Sequence, residues 1–261
     1  DEFLVNTTTT SAQYQPDAGA LADGGFVIAW YDYSQSGGDT SSYAIRAQVF
    51  DADGAMRGSE FLVNTTTTSY QTYPTVTGLA DGRFAVAWQD YSQSGGDTSG
   101  YAVRGQLFNA NGSKSGAEFL INTSTTNSQY DPSLAALDDG RFVVAWEDYS
   151  QAGGDASGSS VKAQVFNADG SKAGSELLVN TTTYGYQVNA SVSVLQDGRF
   201  VVSWDDDSAT GGDTSNNAIR AQIFDPRLAA VDLRGTVAGD ELVGTAWADT
   251  MAGGYGADSL V

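Results

Sequence analysis

The sequence predicts an all-β chain: a four-bladed antiparallel β-propeller whose N-terminal strand closes the last blade. Three observations carry this. Trp30, Trp88, Trp146 and Trp204 recur at a constant step of 58 residues, as do Asp39, Asp97, Asp155 and Asp213. Each unit holds four strand-like runs separated by turn residues. The chain opens on a copy of the fourth run, and the fourth unit ends without one.

The runs follow in order. Strand A is expected over Asp17–Leu21, Thr75–Leu79, Ser133–Leu137 and Ser191–Leu195. An Asp-Gly hairpin signal comes next, at Asp23-Gly24, Asp81-Gly82, Asp139-Gly140 and Asp197-Gly198. Strand B reads FVIAW, FAVAW, FVVAW and FVVSW, almost continuously apolar, as befits a strand covered on both faces. Strand C reads AIRAQVF, AVRGQLF, SVKAQVF and AIRAQIF. Tight DADG, NANG and NADG turns follow in three units, and strand D is EFLVNT, EFLINT or ELLVNT.

The fourth unit has no D strand after Phe224, whereas Glu2–Thr7 is a D strand with no unit before it. Pairing the two would close a ring and remove an open edge. The units are then 8–65, 66–123, 124–181 and 182–226 plus 1–7, a repeat body over 1–227, with a linker and tail over 228–261. An open solenoid or a sandwich pair is the alternative. The A–B and C–D turns fall at one end of each blade and are short. The B–C and D–A connections fall at the other end and are long, so binding is expected there.

Composition narrows the chemistry. With no Cys and no His, thiol nucleophiles, Cys or His zinc sites and Ser–His–Asp triads are excluded. Asp plus Glu number 32 against 12 Lys plus Arg, a net charge of −20. Such a surface repels nucleic acid and anionic membranes, and it suits cations or neutral glycans. No run of 18 apolar residues suggests a membrane span.

The candidate site residues lie in the long loops. The B–C loop reads D-Y-S-Q-S-G-G-D-T-S from Asp32 to Ser41. Its paired carboxylates are Asp32 and Asp39, Asp90 and Asp97, Asp148 and Asp155, and Asp206 and Asp213. Glycine lets the backbone turn inward, so these oxygens could converge on Ca²⁺. The other reading has the second Asp capping the Gly turn and the first pairing with Arg or Lys of strand C. The same face offers a glycan Gln13, Tyr14, Tyr33 and Tyr43, with Gln71, Tyr91, Tyr101, Gln129 and Tyr149 from later units. In the fourth unit Asp207 replaces the loop tyrosine.

GGYGADSLV at the C-terminus matches the nonapeptide G-G-x-G-x-D-x-U-x and resembles the RTX calcium-binding repeat, with Asp240, Asp249 and Asp258 at steps of nine. The 58-residue unit itself, L-x-D-G-x-F-V-V-A-W … A-Q-x-F … E-F-L-V-N-T, resembles tandem repeats of large secreted bacterial proteins with RTX tails. That resemblance implies export, Ca²⁺ as cofactor with Asp249 and Asp258 among its ligands, and a longer RTX polypeptide around this segment. It favours a non-enzymatic lectin-like or adhesin-like module that binds glycans or cell-surface polysaccharide. The alternatives are a calcium-stiffened structural module and a polysaccharide hydrolase. A hydrolase needs a unique carboxylate pair, and Asp205, Asp206 and Asp207 are the local departure that could supply one.

Overall fold

The repeat folds as expected into a series of antiparallel sheets. A computed structural model describes residues 2–227, 232–234, 241–244, 250–252 and 259–260. The innermost strands are β1 (Gln13–Ala20), β5 (Gln71–Gly78), β9 (Gln129–Ala136) and β13 (Gln187–Val194). Next come β2 (Phe26–Asp32), β6 (Phe84–Asp90), β10 (Phe142–Asp148) and β14 (Phe200–Asp206), then β3 (Ala44–Phe50), β7 (Ala102–Phe108), β11 (Ser160–Phe166) and β15 (Ala218–Phe224). The outer strands are β4 (Met56–Leu62), β8 (Lys114–Leu120) and the short β12 (Leu177–Leu178). Each sheet runs in chain order, β1-β2-β3-β4, β5-β6-β7-β8, β9-β10-β11-β12 and β13-β14-β15.

The chain divides into two compact units, Asp1–Val194 with Val201–Gln222, and Leu195–Phe200 with Ile223–Val261. In the first, β1 lies against β5, β5 against β9 and β9 against β13, a propeller-like array. Its core is the layer between successive sheets. Val27, Ala29, Ile45, Ala47 and Val49 pack on Val76, Phe84, Val86 and Trp88, and the same layer recurs between the second and third sheets. Each fully buried Trp removes roughly 200 Å² from water, about 5 kcal/mol before ordering costs. The Asp-Gly turns form as read: Gly24 sits at φ +88°, donates to Leu21 O at 3.0 Å, and hands the chain into β2.

In the second unit, β16 (Asp232–Arg234) pairs in parallel with β18 (Thr250–Ala252), and β17 (Glu241–Leu242) with β19 (Ser259–Leu260). Asp232 opposes Thr250 and Glu241 opposes Ser259, an offset of 18 residues in both pairs, twice the nine-residue step of the tail pattern.

Three expectations need correction. Strand A begins four residues early, at Gln13, Gln71, Gln129 and Gln187, because a bulge lets it continue through the proline. Strand D ends near Leu62 and Leu120, and its Val-Asn-Thr tail is a clasp. Asn64 Oδ1 accepts from Ile45 N at 2.8 Å, while Thr65 N donates to Glu118 Oε2 of the next unit at 2.6 Å.

The ring closure by Glu2–Thr7 is the third. That segment forms no strand, and among the described residues the fourth sheet has three strands. Thr7 N donates to Glu60 Oε2 at 2.7 Å and the Phe3 ring lies 5.4 Å from Phe50. The copies of these contacts are Phe61 on Phe108 and Phe119 on Phe166. The segment therefore grips the unit that follows it. Ile219 on β15 is 77% exposed, whereas Ile45, Val103 and Val161 are fully buried.

Candidate active site

Near the start of each innermost strand one residue adopts the left-handed conformation: Gln15 (φ 48°), Tyr73 (53°), Asp131 (47°) and Asn189 (56°). This backbone is costly for a non-glycine residue and is held here by the bulge. Pro16, Pro74 and Pro132 follow it, and Ala190 takes the fourth place. Together these residues, with Asp17, Thr75 and Ser133, line one cavity of about 400 Å³ between the four strands. Toward the other end β1 and β5 approach closely. A Cβ on Gly78 would lie 2.0 Å from Ala20 O, and one on Gly19 3.0 Å from Val76 O. That end carries its own cavity of about 340 Å³, lined by Ala20, Leu21, Gly78, Leu79, Ala136 and Leu137, so the space on the long-loop side is a funnel that narrows at Gly19 and Gly78.

The units differ in chemical kind at two positions, one lining the funnel and one in contact with the residues that line it. The left-handed position is Gln, Tyr, Asp and Asn in turn, and the residue after the repeated Trp is Tyr31, Gln89, Glu147 and Asp205. The second set supports the first across the sheets. Gln89 Oε1 accepts from Asp131 N at 3.2 Å, and Glu147 Oε1 from Asn189 N at 2.6 Å. The Tyr31 ring lies 5.9 Å from Tyr73. Asn189 also donates its side-chain amide to Asp205 Oδ2 at 2.8 Å, so one asparagine fixes two carboxylates.

Glu147 is the electrostatic centre. It is 5% exposed. Burial pushes its pKa from the ordinary 4.5 up to about 6; the Asn189 N–H pulls the other way, and the charges of Asp131 and Asp205 reinforce the rise. Burial likewise raises the Asp131 carboxyl. A buried acid that keeps its proton to near neutrality, under the influence of Asp205 and of Asp131 in the funnel lining, can deliver that proton to a leaving oxygen.

The repeated aspartates are engaged within the fold. Asp32, Asp90, Asp148 and Asp206 are buried, and each accepts from the glutamine that opens its sheet: Gln13, Gln71, Gln129 and Gln187. Arg46 Nε reaches Asp32 and Arg104 Nε reaches Asp90, both at 2.6 Å, and Arg220 pairs with Asp206. Lys162 instead donates to Ala152 O, at 3.0 Å. Asp39, Asp97 and Asp155 accept from Asn64, Asn122 and Asn180 and from the backbone two residues on. Asp213 is the copy without such an asparagine and holds Ser215. Asp249 and Asp258 lie outside the described residues. Among the described residues no group of three or more Asp or Glu could hold a metal ion.

The tyrosines gather on the loop side. Tyr33 packs on Tyr43 at 4.8 Å and Tyr91 on Tyr101 at 4.7 Å. Tyr14 meets Tyr31 at 5.4 Å. Tyr70 links Tyr43 to Tyr91 across two units, and Tyr130 links Tyr101 to Tyr149.

Reading the sequence for what the repeats share missed Asp131, Glu147 and Asn189, and noticed Asp205 only as part of an Asp run. The signal was present in the opposite place, at fixed steps where the four units differ in chemical kind.

No protein-family model and no curated protein sequence matches the chain. Solved structures do resemble it. The GH93 α-L-arabinofuranosidase of Fusarium graminearum, in complex with arabinobiose, superposes with TM-score 0.57 at 12% identity, covering 85% of this chain and 66% of that one. The Penicillium chrysogenum α-L-arabinanase complexed with arabinobiose gives TM-score 0.57 at 15% identity, with the same coverage. The chain spans just under two thirds of the length of each. The shared fold is one that glycoside-cleaving enzymes use. It overturns the assignment to secreted RTX-associated repeats, the lectin, adhesin and calcium-binding labels that came with it, and the expectation that the chain is not an enzyme.

Proposed function

We propose that the chain carries the active centre of a polysaccharide hydrolase, at the funnel between the four innermost strands. In this reading the sheets are propeller blades, and the axis is the place where their sequences diverge. The observation that carries it is Glu147, a buried carboxyl raised to about 6 with Asp131 and Asp205 beside it. Glycoside cleavage needs a protonated carboxyl to donate to the departing oxygen and a second carboxylate to meet positive charge at the sugar ring, directly or through water. Glu147 is the donor. Asp205, fixed by Asn189, is the partner carboxylate. Asp131 keeps the Glu147 proton in place by its charge.

The net charge of −20 argues for a neutral polymer. The two fungal structures, an arabinofuranosidase and an arabinanase, make linear arabinan the first substrate to try. The test measures reducing-sugar release from arabinan, xylan and galactan by the wild-type chain and by Glu147→Gln, which keeps an acceptor for Asn189 N–H. The expected loss is about 100-fold or more. Equal release by both proteins would overturn the assignment of Glu147.

A further inference from the structure

The tyrosines on the loop side do more than fill space between sheets. Resting on the hydrolytic reading of the funnel, we infer that they form one continuous track that holds a single neutral polysaccharide chain and leads it to the carboxylates.

Three observations argue for a track. The ring contacts are unbroken from Tyr73, which lines the funnel, through Tyr31 and Tyr43 outward to Tyr91, and onward to Tyr186 in the fourth unit. Six of the rings also stay in water: Tyr14, Tyr33, Tyr70, Tyr73, Tyr91 and Tyr186 are 37–51% exposed, and the half-buried Tyr31, Tyr43, Tyr101, Tyr130 and Tyr149 link them. An exposed aromatic patch of this extent marks a binding surface. Finally, the tyrosine pairs are tilted or edge-on, at 33° to 88°, while the buried pair Phe84–Phe108 is stacked at 10°. Tilted rings keep part of each face open, and an open aromatic face is what the C–H side of a sugar ring packs against.

The track replaces the picture of four equivalent sites. The fourth unit lacks the loop tyrosine, since Asp207 stands there, yet the line of rings continues through Tyr186. Neighbouring ring centroids lie 4.7 to 6.4 Å apart, so one extended polymer meets several rings at once.

Affinity electrophoresis in native gels containing linear arabinan, xylan or galactan reads binding without turnover. The wild-type chain is expected to be retarded in at least one gel, and not by polygalacturonate, which the net charge repels. Tyr33→Ala combined with Tyr91→Ala should weaken that binding about tenfold, with near-UV circular dichroism confirming the fold. Tyr33→Trp with Tyr91→Trp should retain it, because the face and not the hydroxyl makes the contact. Ser113→Ala, in the turn at the opposite end of the second sheet, is the control. Wild-type mobility unchanged in all three neutral gels overturns the track, as does binding by the double Ala variant within twofold of wild type. Loss of binding in the Trp variant as deep as in the Ala variant overturns the stacking contact. A chain that is retarded but releases no sugar sinks the hydrolytic reading and leaves the track standing.

Discussion

At the scale of single residues, the function turns on where a proton sits. Glu147 is raised by burial and by the negative charges of Asp131 and Asp205. Its acid form is the active one, so the alkaline limb of activity should lie near 6, the rate falling as pH rises through that value. Asp131→Asn removes one of the charges that disfavour the carboxylate. The Glu147 pKa then drops, and the alkaline limb of kcat/KM should move to lower pH by a few tenths to one unit. A pH–rate profile on arabinan checks this, and a limb that stays put or moves upward rules out the coupling. These residues were hard to see in advance for a physical reason. A repeat advertises what every copy needs in order to fold, namely Trp, Asp-Gly turns and the buried Asp–Arg pairs. One reacting centre needs groups that differ, and the search for identity among copies passes over them.

At the scale of elements, the clasp after strand D holds each unit together and was written in the sequence as Asn-Thr without being understood. Asn122 is buried. Its Oδ1 accepts from Val103 N at 2.9 Å, and its amide donates to Asp97 at 2.9 Å, to Ser124 O at 2.7 Å and to Gln129 Oε1 at 3.0 Å. Truncation to alanine leaves a buried N–H and a buried carboxylate with fewer partners, at a cost of roughly 1–3 kcal/mol for each such group. Asn122→Ala should therefore lower stability by about 2–6 kcal/mol in urea unfolding. Among the described residues Asn6 holds only Thr8 O and a long contact to Gln13, so Asn6→Ala should cost less than about 1 kcal/mol. Similar losses for the two would refute the clasp. The A, B and C strands and their Asp-Gly turns were legible in every unit, because period-2 runs and Asp-Gly pairs are local signals, whereas the D run read at Glu2–Thr7 forms no strand. The early start of strand A was not, since a proline reads as a stop until a bulge is known to carry the chain past it.

At the scale of the whole array, the funnel exists because β1 and β5 approach closely at Gly19 and Gly78 and leave room on the long-loop side of that approach. Repetition made the stack of sheets plain from sequence alone. The closing of the ring by Glu2–Thr7 was inferred from a missing strand, and it failed because the segment's strongest bonds, to Glu60 and Phe50, are made to the unit beside it. What sets the width of the funnel is the close approach of β1 and β5. Gly78 makes that approach possible: any Cβ there would meet Ala20 O at 2.0 Å, a backbone atom with no side-chain freedom to yield. Gly78→Ala must then push β5 from β1, costing roughly 2–3 kcal/mol through overpacking. The same displacement shifts Tyr73 and, through Gln89 Oε1 on Asp131 N, loosens the support of the carboxylates. The expected outcome is a joint fall in melting temperature and in kcat on arabinan, with the Glu147 limb displaced from about 6. Gly116→Ala changes a glycine in the outer strand β8 with open space around its Cβ, although its φ of +82° adds local strain. It should lower stability without moving the pH limb. If both variants left the limb untouched, the geometry of the inner strands would not be what tunes the acid.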